Sequence, residues 1–106
     1  MSNLRHSAKR DANEPDIISA YEKMGCAVER LNGAGIPDLL VSFKGFQEVV
    51  EVKTKDGKLN KAQKEFRSKF GRLTVVRTVD EAIDHANQLR STAKALYEAM
   101  ARRSEA

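Results

Sequence analysis

Tryptophan is absent from this chain of 106 residues, cysteine occurs once, and proline and histidine occur twice each. Each scarcity closes off a class of function. A lone cysteine, Cys26, permits neither an internal disulfide nor a cysteine-based zinc site, which leaves it a small apolar packing role. His6 and His85 lie far apart in no ligand spacing and read as surface residues. Aromatic residues make up 6% of the chain and form no ladder for stacking bases, which speaks against a dedicated single-strand binder. No apolar run approaches the ~20 residues that cross a bilayer. Met1 to Arg10 hold no hydrophobic segment of the signal-peptide kind, so the expected location is cytoplasmic, with no membrane partner.

What is present fits one small α/β domain. The chain is 41% hydrophobic and 32% charged, long enough for one core and too short for two. A formal charge of +4 and a sequence pI near 9.4 are compatible with a polyanionic partner without requiring one.

In chain order, residues 1–10 carry Arg5, Lys9 and Arg10 with no apolar period and read as a disordered basic arm able to touch phosphates. Asn13 is the expected N-cap of a helix over 14–24, with Asp16 at the capping-box position and Gly25 as its stop. Ile17, Ile18, Tyr21 and Met24 share one face of it. A short strand over Cys26–Leu31 leads into the loop Asn32-Gly33-Ala34-Gly35. Leu39–Phe43 is a nearly all-apolar second strand and Phe46–Lys53 a third, joined at Lys44-Gly45. Side-chain alternation puts Val49, Glu51 and Lys53 on one face of the third strand and Glu48, Val50 and Val52 on the other. After the Asp56-Gly57 turn, Asn60 caps a second helix with Gln63 at its capping-box position, Ala62, Phe66 and Phe70 on its apolar face and Gly71 as its stop. Leu73–Arg77 is a fourth strand by its β-branched content. A last helix runs from Val79 to about Arg103. Along it Val79, Ala82, Ala86, Leu89, Ala93, Leu96 and Met100 form a heptad seam, whose far half is a candidate dimer contact.

The chemistry concentrates between Gly35 and Lys53. If the second and third strands pair through Lys44-Gly45, Asp38 falls beside Glu51 and Lys53. Hydrolysis of a phosphodiester calls for a cation that lowers the pKa of water and offsets charge gathering at phosphorus. Mg²⁺ suits the task and is usually held by one or two carboxylates. Asp38 and Glu51 supply these, with the main-chain carbonyl of Val52 as a further oxygen. Lys53 can orient the attacking water or counter the charge on the phosphate oxygens. The plainer alternative is a half-exposed Glu51–Lys53 ion pair on an edge strand, but charges among valines are costly to bury without a purpose.

Pro37-Asp38 followed by Glu51-Val52-Lys53 resembles the signature of the PD-(D/E)XK nuclease superfamily. The wider context, GIPDLLVSFKG, VVEVK and KLNKAQKEF, is similar to small stand-alone enzymes of the VRR-NUC and archaeal Holliday-junction-resolvase kind, many of them phage-encoded. The resemblance spans about residues 11–83, leaving 84–106 as a helical extension. It implies an α/β, restriction-endonuclease-like core: a mixed four-stranded sheet in the order α-β-β-β-α-β, flanked by helices, plus the long C-terminal helix. It also implies a Mg²⁺-dependent endonuclease, with Mn²⁺ as a substitute, acting on branched DNA, often as a homodimer. Asp38 and Glu51 would then be metal ligands and Lys53 the catalytic lysine. Glu14 matches the acidic residue such enzymes carry on the first helix, with Asp11 and Asp16 competing for that place. Gln63 matches a glutamine found near the site, though its role as a helix cap is an equal reading. Lys55, Lys58, Lys61, Lys64 and Arg67 are candidate phosphate contacts around the site.

Overall fold

A computed structural model of the chain describes residues 10–105. The elements are α1 (Glu14–Lys23), β1 (Ala27–Arg30), β2 (Leu39–Phe43), β3 (Phe46–Val52), α2 (Lys61–Phe70), β4 (Thr74–Val76) and α3 (Val79–Glu105). Their order is the expected one, with each boundary within about two residues of its expectation. Residues 1–9 of the expected basic arm lie outside the described residues. Arg10, its last member, is not free, because it is bonded into the fold as set out below.

The strands form one sheet in the order β1-β2-β3-β4. β1 with β2 and β2 with β3 are antiparallel, while β3 and β4 are parallel because α2 carries the chain across between them. The β2–β3 hairpin turns on Lys44 and Gly45, with φ of 49° and 87°. Positive φ at both central residues suits the right-handed twist of the flanking strands, and glycine at the second position lowers its cost. This tight turn fixes the register, with Leu39 opposite Val50 and Leu40 opposite Val49.

That register sorts the two faces. Leu39, Val41, Val50 and Val52 point to one side, at 0–2% exposure, where α1 and α3 cover them with Ile17, Tyr21, Ala82, Ala86 and Leu89. Each such aliphatic side chain contributes roughly 1.5–3 kcal/mol when fully buried. Cys26 joins this core as a buried free thiol. Burial on α3 continues past residue 83 to Ala93, while Leu96 and Met100 are each 42% exposed.

Three local expectations change. Asn13 stands at the start of α1 but makes no side-chain cap; its amide instead donates to the carbonyls of Lys53 and Arg77, at 3.2 and 3.0 Å. His85 is not a surface residue: it is 5% exposed, between Tyr21 and Glu48. The capping box of α2 forms as expected and Gly71 stops the helix, yet no residue of α2 is buried. Its aromatic side chains lie beside the opposite sheet face, near Leu40 and Val49, rather than in a core.

Candidate active site

The face of β3 turned away from the core carries Glu51. By the hairpin register its cross-strand neighbour is Asp38, the residue before Leu39. Asp38 is fixed by the sheet as well as by sequence. Its carbonyl accepts from Leu31 N–H at 2.8 Å, and its Oδ2 accepts from Val52 N–H at 2.8 Å. One carboxylate oxygen is thus spent on holding the side chain, and Oδ1 faces Arg10 Nη1 at 3.9 Å.

Glu51 is 4% exposed. Its Oε2 accepts from Gln63 Nε2 at 2.7 Å and lies 3.8 Å from Lys53 Nζ. Its Oε1 is buried with no hydrogen-bond partner. Burial first, and then the charge of Asp38, push the Glu51 carboxyl up to about 8; a proton on Glu51 shared with Asp38, where no other donor reaches, adds to the rise, as does Asp11, and Lys53 opposes it. Two acidic groups are held together here at a cost, with a single ammonium beside them.

Gln63 makes two contacts at once, one with the helix cap and one with Glu51. Its Oε1 accepts from Asn60 N–H at 2.9 Å as part of the helix cap, and its Nε2 reaches Glu51. The cap thus sets the rotamer that orients the carboxylate.

These groups line a cleft of about 470 Å³, closed on one side by the Asn32–Ile36 loop and on the other by the first turn of α2. Asp38, Glu51, Val52, Lys53 and Gln63 all border it. Lys55, Lys58, Lys61, Lys64 and Arg67 are exposed, on the loop after β3 and on α2.

Glu14 requires a correction. It is 1% exposed and does not line the cleft. Both of its oxygens receive Arg10 Nη1, at 3.0 and 2.9 Å, and Oε2 also receives Arg30 Nε at 3.0 Å. In this arrangement its oxygens are engaged by two guanidinium groups rather than turned to the cleft that Asp38 and Glu51 share. Asp11, four residues before the α1 proline, borders the cleft instead.

Several residues of the site had no motif to announce them. Arg10 ties α1 to the cleft loop through Leu31 O at 2.5 Å and Asn32 Oδ1 at 3.0 Å. Arg77 Nη1 holds the turn after Lys53 through the carbonyls of Thr54 and Gly57, at 2.7 and 2.5 Å. Both contacts join residues about twenty positions apart, and the only sequence signal is an arginine near a strand end or helix start.

Among the described residues no group of three or more His, Cys, Asp or Glu side chains is arranged to hold a metal ion. A hard divalent ion of the Mg²⁺ class does not need three, because it keeps several waters. The residues present fit such an ion: Glu51 leaves one buried oxygen without a partner, and Asp38 stands beside it.

No protein-family model matches the chain. No curated protein matches it either. Its architecture is similar to that of a solved structure described as a VRR_NUC domain, with a TM-score of 0.57 and 24% identity, over 74% of this chain and 89% of the other. The chain therefore has the fold expected from Pro37-Asp38 and Glu51-Val52-Lys53, a mixed sheet flanked by helices.

Proposed function

We propose that the chain is a Mg²⁺-dependent DNA endonuclease, with Asp38, Glu51 and Lys53 as its catalytic centre, selective for branched DNA of the four-way-junction kind. One observation carries the reading: a buried glutamate oxygen without a partner, set against a second carboxylate and a lysine at the floor of an open cleft. A fold that needed only stability would pair that oxygen or replace the side chain.

Asp38, through the Oδ1 that faces Arg10, and Glu51, through Oε1, would hold the ion, with the Val52 main-chain carbonyl at the same strand end. When bound there, the ion supplies a lowered pKa for water and positive charge against the phosphate. The chain's own residues do the rest. Gln63 keeps Glu51 turned into the cleft, and Val52 N–H keeps Asp38 there. Lys53, held by its neighbour Glu51 and by the main-chain anchors of Asn13 and Arg77, stabilises charge as it develops on the non-bridging phosphate oxygens. Lys61, Lys64 and Arg67 on α2, with Lys55 and Lys58 on the preceding loop, contact flanking phosphates.

The test is incubation with labelled four-way junction, fork, flap and linear duplex, with Mg²⁺ or with chelator. Cleavage that needs Mg²⁺ and favours branched DNA is expected. Cleavage of linear duplex alone removes the branch selectivity, and binding without cleavage of any substrate leaves the chain a catalytically idle DNA-binding module.

A further inference from the structure

α2 is anchored at one end only. Gln63 ties its first turn to Glu51, whereas the helix buries no residue. Phe66 and Phe70, three and seven positions after Gln63, continue the same side of the helix. Their ring centroids are 4.4 Å apart at an interplanar angle of 31°. Between these rings and the sheet lies a second groove, of about 560 Å³, bordered by Leu40 and Val49.

Leu40 and Val49 are paired across β2 and β3, and they sit on the same sheet face as Asp38 and Glu51. Two residues of strand rise, about 7 Å, separate the two pairs. The groove therefore extends the cleft along one surface, from carboxylates at one end to hydrocarbon at the other. Phe70 is 62% exposed beside it, the most exposed of the large hydrophobic residues among those described. Its exposed rim carries two cations: Lys69 Nζ lies 5.5 Å from the Phe70 ring centroid, and Arg72, with a side chain 71% exposed, borders the groove together with Glu48, whose 7%-exposed carboxylate it pairs with at 2.7 Å.

An occupant suited to this groove has apolar faces, polar edges and attached negative charge. We propose that it is an unpaired nucleobase of the strand being cut, stacked on Phe70, with neighbouring phosphates against Lys69 and Arg72. The inference rests on the nuclease reading above and deepens it. A base locked in a duplex cannot enter, so the groove selects a strand with an unstacked nucleotide next to the cut. A second copy of the chain suits the groove less well, because an isologous contact here would bring two cationic rims together.

The test uses the full chain carrying Glu51→Gln, so that bound DNA is not cut. It is titrated with an uninterrupted duplex and with the same duplex bearing a single-stranded branch that holds 2-aminopurine at successive positions. Quenching of the fluorophore at one branch position is expected. Phe70→Ala should abolish that quenching and weaken binding of the branched DNA about tenfold, as loss of one base stack does, without changing duplex binding. Phe70→Trp should restore both. A Phe70→Ala protein that quenches and binds as its parent does overturns the inference, as does one that falls from dimer to monomer in the absence of DNA. Those results leave the nuclease reading standing, whereas failure to bind either DNA overturns both.

Discussion

Two glutamates three residues apart on β3 meet opposite fates. Glu48 points to the core, where every nearby group answers it. His85 Nε2 lies 2.6 Å from its Oε1, Arg72 Nη2 lies 2.7 Å from its Oε2, and Thr74 Oγ1 donates at 3.3 Å. His85 is held in turn by Tyr21, whose hydroxyl is 2.7 Å from Nδ1. Each ring nitrogen of His85 thus has a partner, Glu48 at Nε2 and Tyr21 at Nδ1. Burial pushes the Tyr21 phenol up, so the hydroxyl keeps its proton. Glu51, on the other face, has one oxygen answered and one left bare, beside a second carboxylate. Burial alone does not distinguish structure from function in this strand; completeness of partnering does.

The comparison predicts that the two residues fail differently when changed. Glu51→Gln and Asp38→Asn should each lower cleavage by more than about a hundredfold, the scale of losing a charge-stabilising group at a reacting centre, without lowering the melting temperature. Glu48→Gln or His85→Ala should do the opposite. Each leaves a buried polar partner unanswered, at a cost of about 3 kcal/mol in denaturant unfolding, while activity per folded molecule is retained. A Glu48 variant that loses activity without losing stability would erase the distinction.

Gln63 sharpens it further, because one side chain serves the fold through Oε1 and the site through Nε2. Gln63→Ala should reduce metal affinity or activity by about tenfold or somewhat more, and Gln63→Glu should reduce it more steeply by adding a third acid beside Glu51. Circular dichroism should show α2 retained, since the Asn60 side chain still accepts from the main-chain N–H of residue 63.

A separate effect is on pH dependence. Glu51 has its folded pKa raised to about 8 from the ordinary glutamate value of 4.5. Between those values the folded chain binds more protons than the unfolded one, so the protonated carboxyl favours folding. Stability of the metal-free protein should therefore fall as pH rises from about 5 to 8 through this group. Glu51→Gln should flatten that slope and leave the protein more stable at pH 8. A slope unchanged by the substitution would place the effect elsewhere.

Much of this was legible in the sequence. Alternation in 46–53 separates the Glu48 and Glu51 faces, Lys44-Gly45 fixes the hairpin, and together they bring Asp38 to Glu51. Asn60 and Gln63 announce the start of α2. These are local signals, or local signals joined by one tight turn. The misreadings share the opposite property. His85 looked like a surface residue because its partners Tyr21 and Glu48 are 64 and 37 positions away. Glu14 matches a ligand position by its place on a helix, but its oxygens are engaged by Arg30, on a strand sixteen residues later, and by Arg10, at the end of the basic arm. The period of Ala62, Phe66 and Phe70 marked an apolar helix face correctly, yet periodicity does not say whether a core lies beneath it.

The central claim is that Asp38 and Glu51 jointly hold a divalent cation. Mn²⁺ binding to the intact protein without DNA, followed by the loss of the free-ion electron paramagnetic resonance signal, tests it most directly. Saturable binding by the wild type is expected, strongly weakened by Glu51→Gln and by Asp38→Asn and unaffected by Glu48→Gln in the folded protein. Equal Mn²⁺ binding by wild type and Glu51→Gln would contradict the account.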